Sequence, residues 1–108
     1  MVRLKIEISV PESHVEQVID ALHEAGAGQV GEYARCAGAW HVTGTWLPLP
    51  GSRPYDGEVG AVRRGAECRV ESVCHEDRAR AVLRAVRRVH PYEEPVINFL
   101  PLYEPPAD

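Results

Sequence analysis

The chain has 108 residues, with 12 Lys and Arg against 16 Asp and Glu, for a formal net charge of −4 at pH 7. That length fits one domain with a single core, and the acidic balance argues against nucleic acid, whose phosphates call for a basic surface. No stretch approaches the ~20 consecutive apolar residues of a membrane span. Cys36, Cys68 and Cys74 form no zinc-type pair and suit the reduced thiols of a cytoplasmic protein.

Met1 to Lys5 runs directly into a strand pattern, so no secretory leader is expected. Val2, Leu4, Ile6, Ile8 and Val10 alternate with polar residues and predict a half-buried strand. Pro11 ends it and can sit in the first turn of a helix. Val15, Val18, Ile19 and Leu22 then recur at helical spacing, and Gly26-Ala27-Gly28 is a stop signal. From Tyr33 to Leu49 the chain reads as a long irregular strand, with a bulge or a close backbone approach at Gly44. The segment from Pro48 to Gly60 is rich in Pro and Gly and reads as the tip of a long hairpin. Cys68, Val70, Ser72 and Cys74 alternate as a third strand. A second helix opens at Glu76 and Asp77, with Ala79, Val82, Leu83, Val86 and Val89 on one side and arginines on the other. Pro95 to Leu102 is the last strand.

The order strand, helix, strand, strand, helix, strand is the ferredoxin-like βαββαβ arrangement, an α+β fold with two helices on one face of a four-stranded antiparallel sheet. Residues 1–103 form the domain, and 104–108 a frayed tail. The sheet face away from the helices is expected to be apolar enough to need a partner subunit.

The run His90-Pro91-Tyr92-Glu93-Glu94-Pro95 places an imidazole, a phenol and two carboxylates around two prolines. Each proline fixes its own φ and drives the preceding residue toward extended geometry, so the second helix should stop at His90 and present these groups from a stiff corner. Val10-Pro11-Glu12, Gly26-Ala27-Gly28, Gly31-Glu32-Tyr33, Cys36, Thr43-Gly44-Thr45, Pro54, Gly57-Glu58-Val59-Gly60 and the His90 run together form a pattern. It resembles the YqfO-like domain inserted in the Ngg-interacting-factor-three (NIF3) family. The His-Pro-Tyr-Glu run also resembles the matching segment of CutA, the divalent-cation tolerance protein, in the broad PII-like group. The likeness covers roughly Val2 to Leu102. It implies a free-standing version of the inserted domain, and a homo-oligomer, most often a trimer, with clefts between subunits. The larger family's dinuclear metal site lies in flanking lobes, so no residue here inherits it or the hydrolase activity proposed for it.

His90, Glu93 and Glu94 are competent ligands for a divalent metal such as zinc or copper, with Cys36 as a soft donor. Their alternative role is local, with His90 at a helix C-terminus and the glutamates holding the corner. The resemblance groups Tyr33, Thr43, Thr45, Glu58 and Tyr92 as candidates for a small ligand; ordinary hairpin pairing is the other account of the strand residues. The leading expectation is therefore an oligomeric binding or regulatory module. An enzyme using Glu58, His90 and Glu94 as acid-base groups, and a purely structural assembly domain, stand as alternatives.

Overall fold

Alternation in the first strand sets the sheet. In the computed structural model, which describes residues 2–107, β1 (Arg3–Val10) turns Leu4, Ile6, Ile8 and Val10 into the core and Lys5 and Glu7 to the opposite face. Pro11 is extended (φ −62°, ψ 148°) and leads through a 3-10 turn, Glu12–His14, into α1 (Val15–Glu24). This helix buries Val18, Ala21 and Leu22. Gly26, at φ +95°, closes it. Its N–H donates to the His23 carbonyl and the Ala27 N–H to that of Leu22, so two orphan carbonyls of the last turn are satisfied.

β2 (Gly38–Trp46) and β3 (Arg63–His75) form an antiparallel hairpin. A second 3-10 turn, Glu76–Arg78, enters α2 (Ala79–Val89), which buries Val82 and Val86 and leaves Arg80, Arg84, Arg87 and Arg88 exposed. The chain leaves α2 at His90 with φ −74° and ψ 131°, the extended geometry that Pro91 imposes. β4 (Ile97–Pro101) completes a sheet in the order β2-β3-β1-β4, with β1 antiparallel to both neighbours. This is the expected fold. The core joins Ile6, Ile8, Val10 and Val70 of the sheet to Val18, Leu22, Val82 and Val86 of the helices.

Three expectations are corrected. The strand expected from Tyr33 begins at Gly38. Before it, Gly31 and Arg35 adopt left-handed backbone (φ +57° and +59°), which no strand accommodates, and Arg35 is held to Asp20 (2.6 Å) and Glu16 (3.2 Å) on α1. β3 is longer than its apolar alternation indicates, because its first residues pair with β2 alone. The face away from the helices is not bare apolar surface. Lys5 pairs there with Glu7 and Glu71, and apolar residues such as Trp40 and Leu100 flank this charged centre.

Because β1 meets β3 only from Cys68 onward, the other end of the β2–β3 hairpin runs past the sheet. The molecule is correspondingly long, 54 × 25 × 23 Å. Its tail is tied by a 2.6 Å ion pair between Arg3 and Glu104; the last residue of the predicted frayed segment, Asp108, lies outside the described residues. No helix among the described residues is long and apolar enough to cross a membrane.

Candidate functional site

The site is built where the hairpin leaves the sheet. His90 is its anchor and is 7% exposed. Its Nε2 lies 2.7 Å from the Ser9 carbonyl and its Nδ1 3.1 Å from the Tyr92 N–H. A carbonyl only accepts and an N–H only donates, so the neutral imidazole with the proton on Nε2 satisfies both. Burial holds the His90 pKa below its usual value. The hydrogen bond to Ser9 opposes that shift, nearby His14 adds to it and Glu67 works against it. The imidazole thus pins the corner to the end of β1, and the Ser9 N–H to Val96 carbonyl bond (3.2 Å) fixes the far side.

From that corner Tyr92 reaches across to β3, and its hydroxyl donates to Glu67 Oε2 at 2.6 Å. Burial first, then the bond to Glu67 and the charges of Glu67 and Asp56, raise the Tyr92 pKa far above its usual value. Glu67 is only 8% exposed. Its carboxylate lies over Gly44 on β2: a Cβ at position 44 would overlap Oε1 and come within 2.7 Å of Cδ. The close approach expected at Gly44 is therefore that of a side chain, in a strand that pairs regularly there with Gly65.

The loop from Leu47 to Val62 folds back rather than extending the hairpin. Trp46 Nε1 donates to the Asp56 carbonyl (2.9 Å), Arg63 Nε pairs with the Asp56 carboxylate (3.0 Å), and the guanidinium of Arg63 stands 5.9 Å from the Trp46 ring. The Arg53 N–H is shared by both Glu93 oxygens (3.0 and 3.1 Å), which joins the loop to the corner. Tyr55 stacks obliquely on Tyr92 at 6.0 Å and meets His14 edge-on at 6.1 Å. Between hairpin, loop and corner lies a cavity of ≈ 660 Å³, with Trp46, Tyr55, Glu67, Arg69, Tyr92 and Glu94 in its lining.

Of the predicted ligand residues, Thr43, Thr45 and Tyr92 line this cavity, as do Glu93 and Glu94. Glu58 is exposed in the loop and does not line it, and Tyr33 is exposed beside Val30, with which it forms an isolated bridge. Cys36 lies elsewhere, with its backbone carbonyl accepting from Ser72 Oγ (2.7 Å), and it lines a separate hollow with Lys5 and Val73. The proposed metal set of His90, Glu93, Glu94 and Cys36 is therefore not gathered within one chain. Both nitrogens of His90 are already committed, and among the described residues no group of three or more His, Cys, Asp or Glu is placed to hold a metal ion. Of the acid-base trio Glu58, His90 and Glu94, Glu94 alone lines the cavity.

Glu67, Trp46, Tyr55 and Asp56 are missed by the sequence reading. Glu67 falls in the alternating polar positions of its strand, where a solvated carboxylate is the ordinary outcome. One signal was present: Gly44 and Gly65 leave room on two adjacent strands for a neighbouring side chain.

No family model matches the chain. Among curated proteins, the GTP cyclohydrolase 1 type 2 homolog of Mycobacterium leprae is 46% identical over 103 residues, covering 94% of this chain and 26% of that protein. The Bacillus subtilis protein of the same description is 39% identical over 104 residues, covering 96% and 28%. The chain thus spans about a quarter of the length of the curated relatives it matches. A solved Bacillus cereus protein related to NIF3 superposes with a TM-score of 0.84 at 34% identity, over 95% of this chain and 26% of that one. The periplasmic divalent cation tolerance protein CutA of Archaeoglobus fulgidus superposes with a TM-score of 0.69 over 95% of this chain and 86% of its own, at 16% identity, a likeness of fold alone. The chain thus has a CutA-like, PII-like fold and is similar over nearly its whole length to one segment of the longer NIF3-related proteins, the YqfO-like domain.

Proposed function

We propose that this domain is a homo-oligomeric, most simply trimeric, binding module that takes a small organic ligand in the cavity between the β2–β3 hairpin, its loop and the His90–Pro95 corner. The observation that carries the reading is the cavity. Its ≈ 660 Å³ falls in the usual range for small-molecule sites, and aromatic walls with a few convergent polar groups are the usual lining of one. The CutA-like fold and the NIF3-related relatives agree with a binding or regulatory role. An organic ligand is favoured over zinc or copper because His90 has no free nitrogen and Cys36 stands apart.

Melting the protein against a panel of amines, amino acids, nucleotides, carboxylates, phosphate, zinc and copper tests this. A ligand present at 100 times its Kd adds about 2.7 kcal/mol by mass action, a rise in Tm on the order of 10 °C for a domain of this size. A panel without a single shift sinks the reading, and a response confined to zinc or copper replaces it with the metal.

The oligomer is supported by large apolar side chains left at the surface, among them Trp40, Leu47, Leu49, Val59, Val62 and Leu100. Light scattering at micromolar concentration is expected to give a multiple of the 12.0 kDa chain mass, and a monodisperse 12.0 kDa species refutes assembly.

A further inference from the structure

Resting on the reading of the cavity as a ligand site, we infer that it selects an aromatic amine, a flat ring carrying a cationic nitrogen, over neutral and anionic molecules of the same shape. Three aromatic rings line it, Trp46, Tyr55 and Tyr92. Tyr92 neighbours both of the others, 6.2 Å from Trp46 and 6.0 Å from Tyr55, a cluster of rings suited to a flat guest and to a cation.

The charge of the lining is lopsided. Asp56, Glu67, Glu93 and Glu94 face Arg69 alone. Asp56 is met by Arg63 from outside the cavity, and Glu93 is met by the Arg53 N–H. Arg69 is engaged by Ser9 Oγ at 3.0 Å. Glu67 is different: more than nine-tenths buried, it spends one oxygen on the Tyr92 hydroxyl, and its other oxygen receives no hydrogen bond among the described residues. That oxygen is not sealed off, since no fully buried side-chain nitrogen or oxygen among the described residues lacks a partner.

A half-satisfied carboxylate, nearly enclosed and belonging to the lining of an aromatic cavity, is a fitting counter-charge for an ammonium group, because pairing offsets the desolvation of both. An anion in the same place would meet Glu67 and Glu94 at close range with only Arg69 to offset them. The Tyr92 phenol already responds to this field: beyond the effect of burial, Glu67 and Asp56 help it to keep its proton.

Three molecules with one ring system test the inference by calorimetric titration of the whole chain: tryptamine, its neutral analogue tryptophol, and indole-3-acetate. Tryptamine is expected to bind about ten-fold or more tightly than tryptophol, with indole-3-acetate weakest. Glu67→Gln keeps the shape and an acceptor for Tyr92, so it should erase the tryptamine advantage, bringing the ratio of tryptamine to tryptophol affinity to about one. Glu94→Gln, at an exposed position that cannot endanger the core, should reduce the advantage in part and keeps the test decisive if Glu67→Gln does not fold. Equal binding of all three, or preference for the anion, overturns the inference and leaves the cavity a ligand site. Failure of all three while the wider melting panel finds another ligand overturns the inference alone. Silence from both experiments overturns the inference and the ligand-site reading together.

Discussion

His90→Ala is expected to lower stability by about 3 kcal/mol, because it strips a buried acceptor and a buried donor of their partners and opens a void. The two groups are the Ser9 carbonyl and the Tyr92 N–H, both held by one ring. For a domain of this size that is a fall in Tm on the order of 10–20 °C. The corner should loosen with it, so the Tyr92–Glu67 bond and the cavity are lost together. His90→Gln, which can still donate to Ser9, should recover part of the stability. The imidazole also gives the fold a pH dependence of definite sign. Burial favours neutral His90 in the native state, so its pKa lies below the value near 6.5 of the unfolded chain. Its contribution is complete above about pH 7.5 and is lost as pH falls through 6.5 toward the native pKa, where the loss levels off. The slope cannot exceed about 1.4 kcal/mol per pH unit for one proton. Urea midpoints between pH 8 and 5 should decline in the native sequence and less steeply in His90→Gln. Parallel curves, or a stable His90→Ala protein with an intact cavity, would refute the anchoring role.

The second large effect is expected at Gly44. Its backbone is ordinary strand, so a valine there meets no conformational obstacle and strand propensity even favours it. The cost comes from Glu67, whose carboxylate occupies the space the new Cβ needs. Gly44→Val must expel that carboxylate, break its bond to Tyr92 and push into the cavity. A loss of about 1–3 kcal/mol follows, the usual range for overpacking, with ligand binding abolished. Gly44→Val with Glu67→Ala removes the clash, so the double variant should be more stable than the sum of the two single effects. A coupling energy near zero would show that residues 44 and 67 are independent, and the account of the site would fail.

The order of elements is visible in the sequence because each signal is local. The two-residue alternation of Leu4 to Val10, the helical spacing of Val15 to Leu22 and the stop at His90 each need only a few neighbouring residues to read. The same holds for the Pro-rich corner. The site is otherwise. Tyr92 meets Glu67 only because the strand order brings β3 beside β1 and the corner crosses the end of that pair, and no local pattern records such a meeting. Chemical suitability also says nothing about availability. His90 has the right atoms for a metal ligand, yet two backbone groups claim them. Cys36 was grouped with it by motif, whereas the left-handed turn at Arg35 carries it to another part of the molecule. The surface opposite the helices is less apolar than expected for a related reason, since Lys5, Glu7 and Glu71 come from two strands and meet at the centre of a joint face.

The ties that shape the cavity are distant along the chain: 25 residues separate Glu67 from Tyr92, 40 separate Arg53 from Glu93, and 81 separate Ser9 from His90. Contacts of such long range close late and slowly in folding, after local helices and turns have formed. The cavity should therefore be missing from any partly folded state, however rich that state is in helix. During refolding, recovery of ligand binding should lag the helical signal and coincide with the final step, so that an occupied cavity certifies a completed fold.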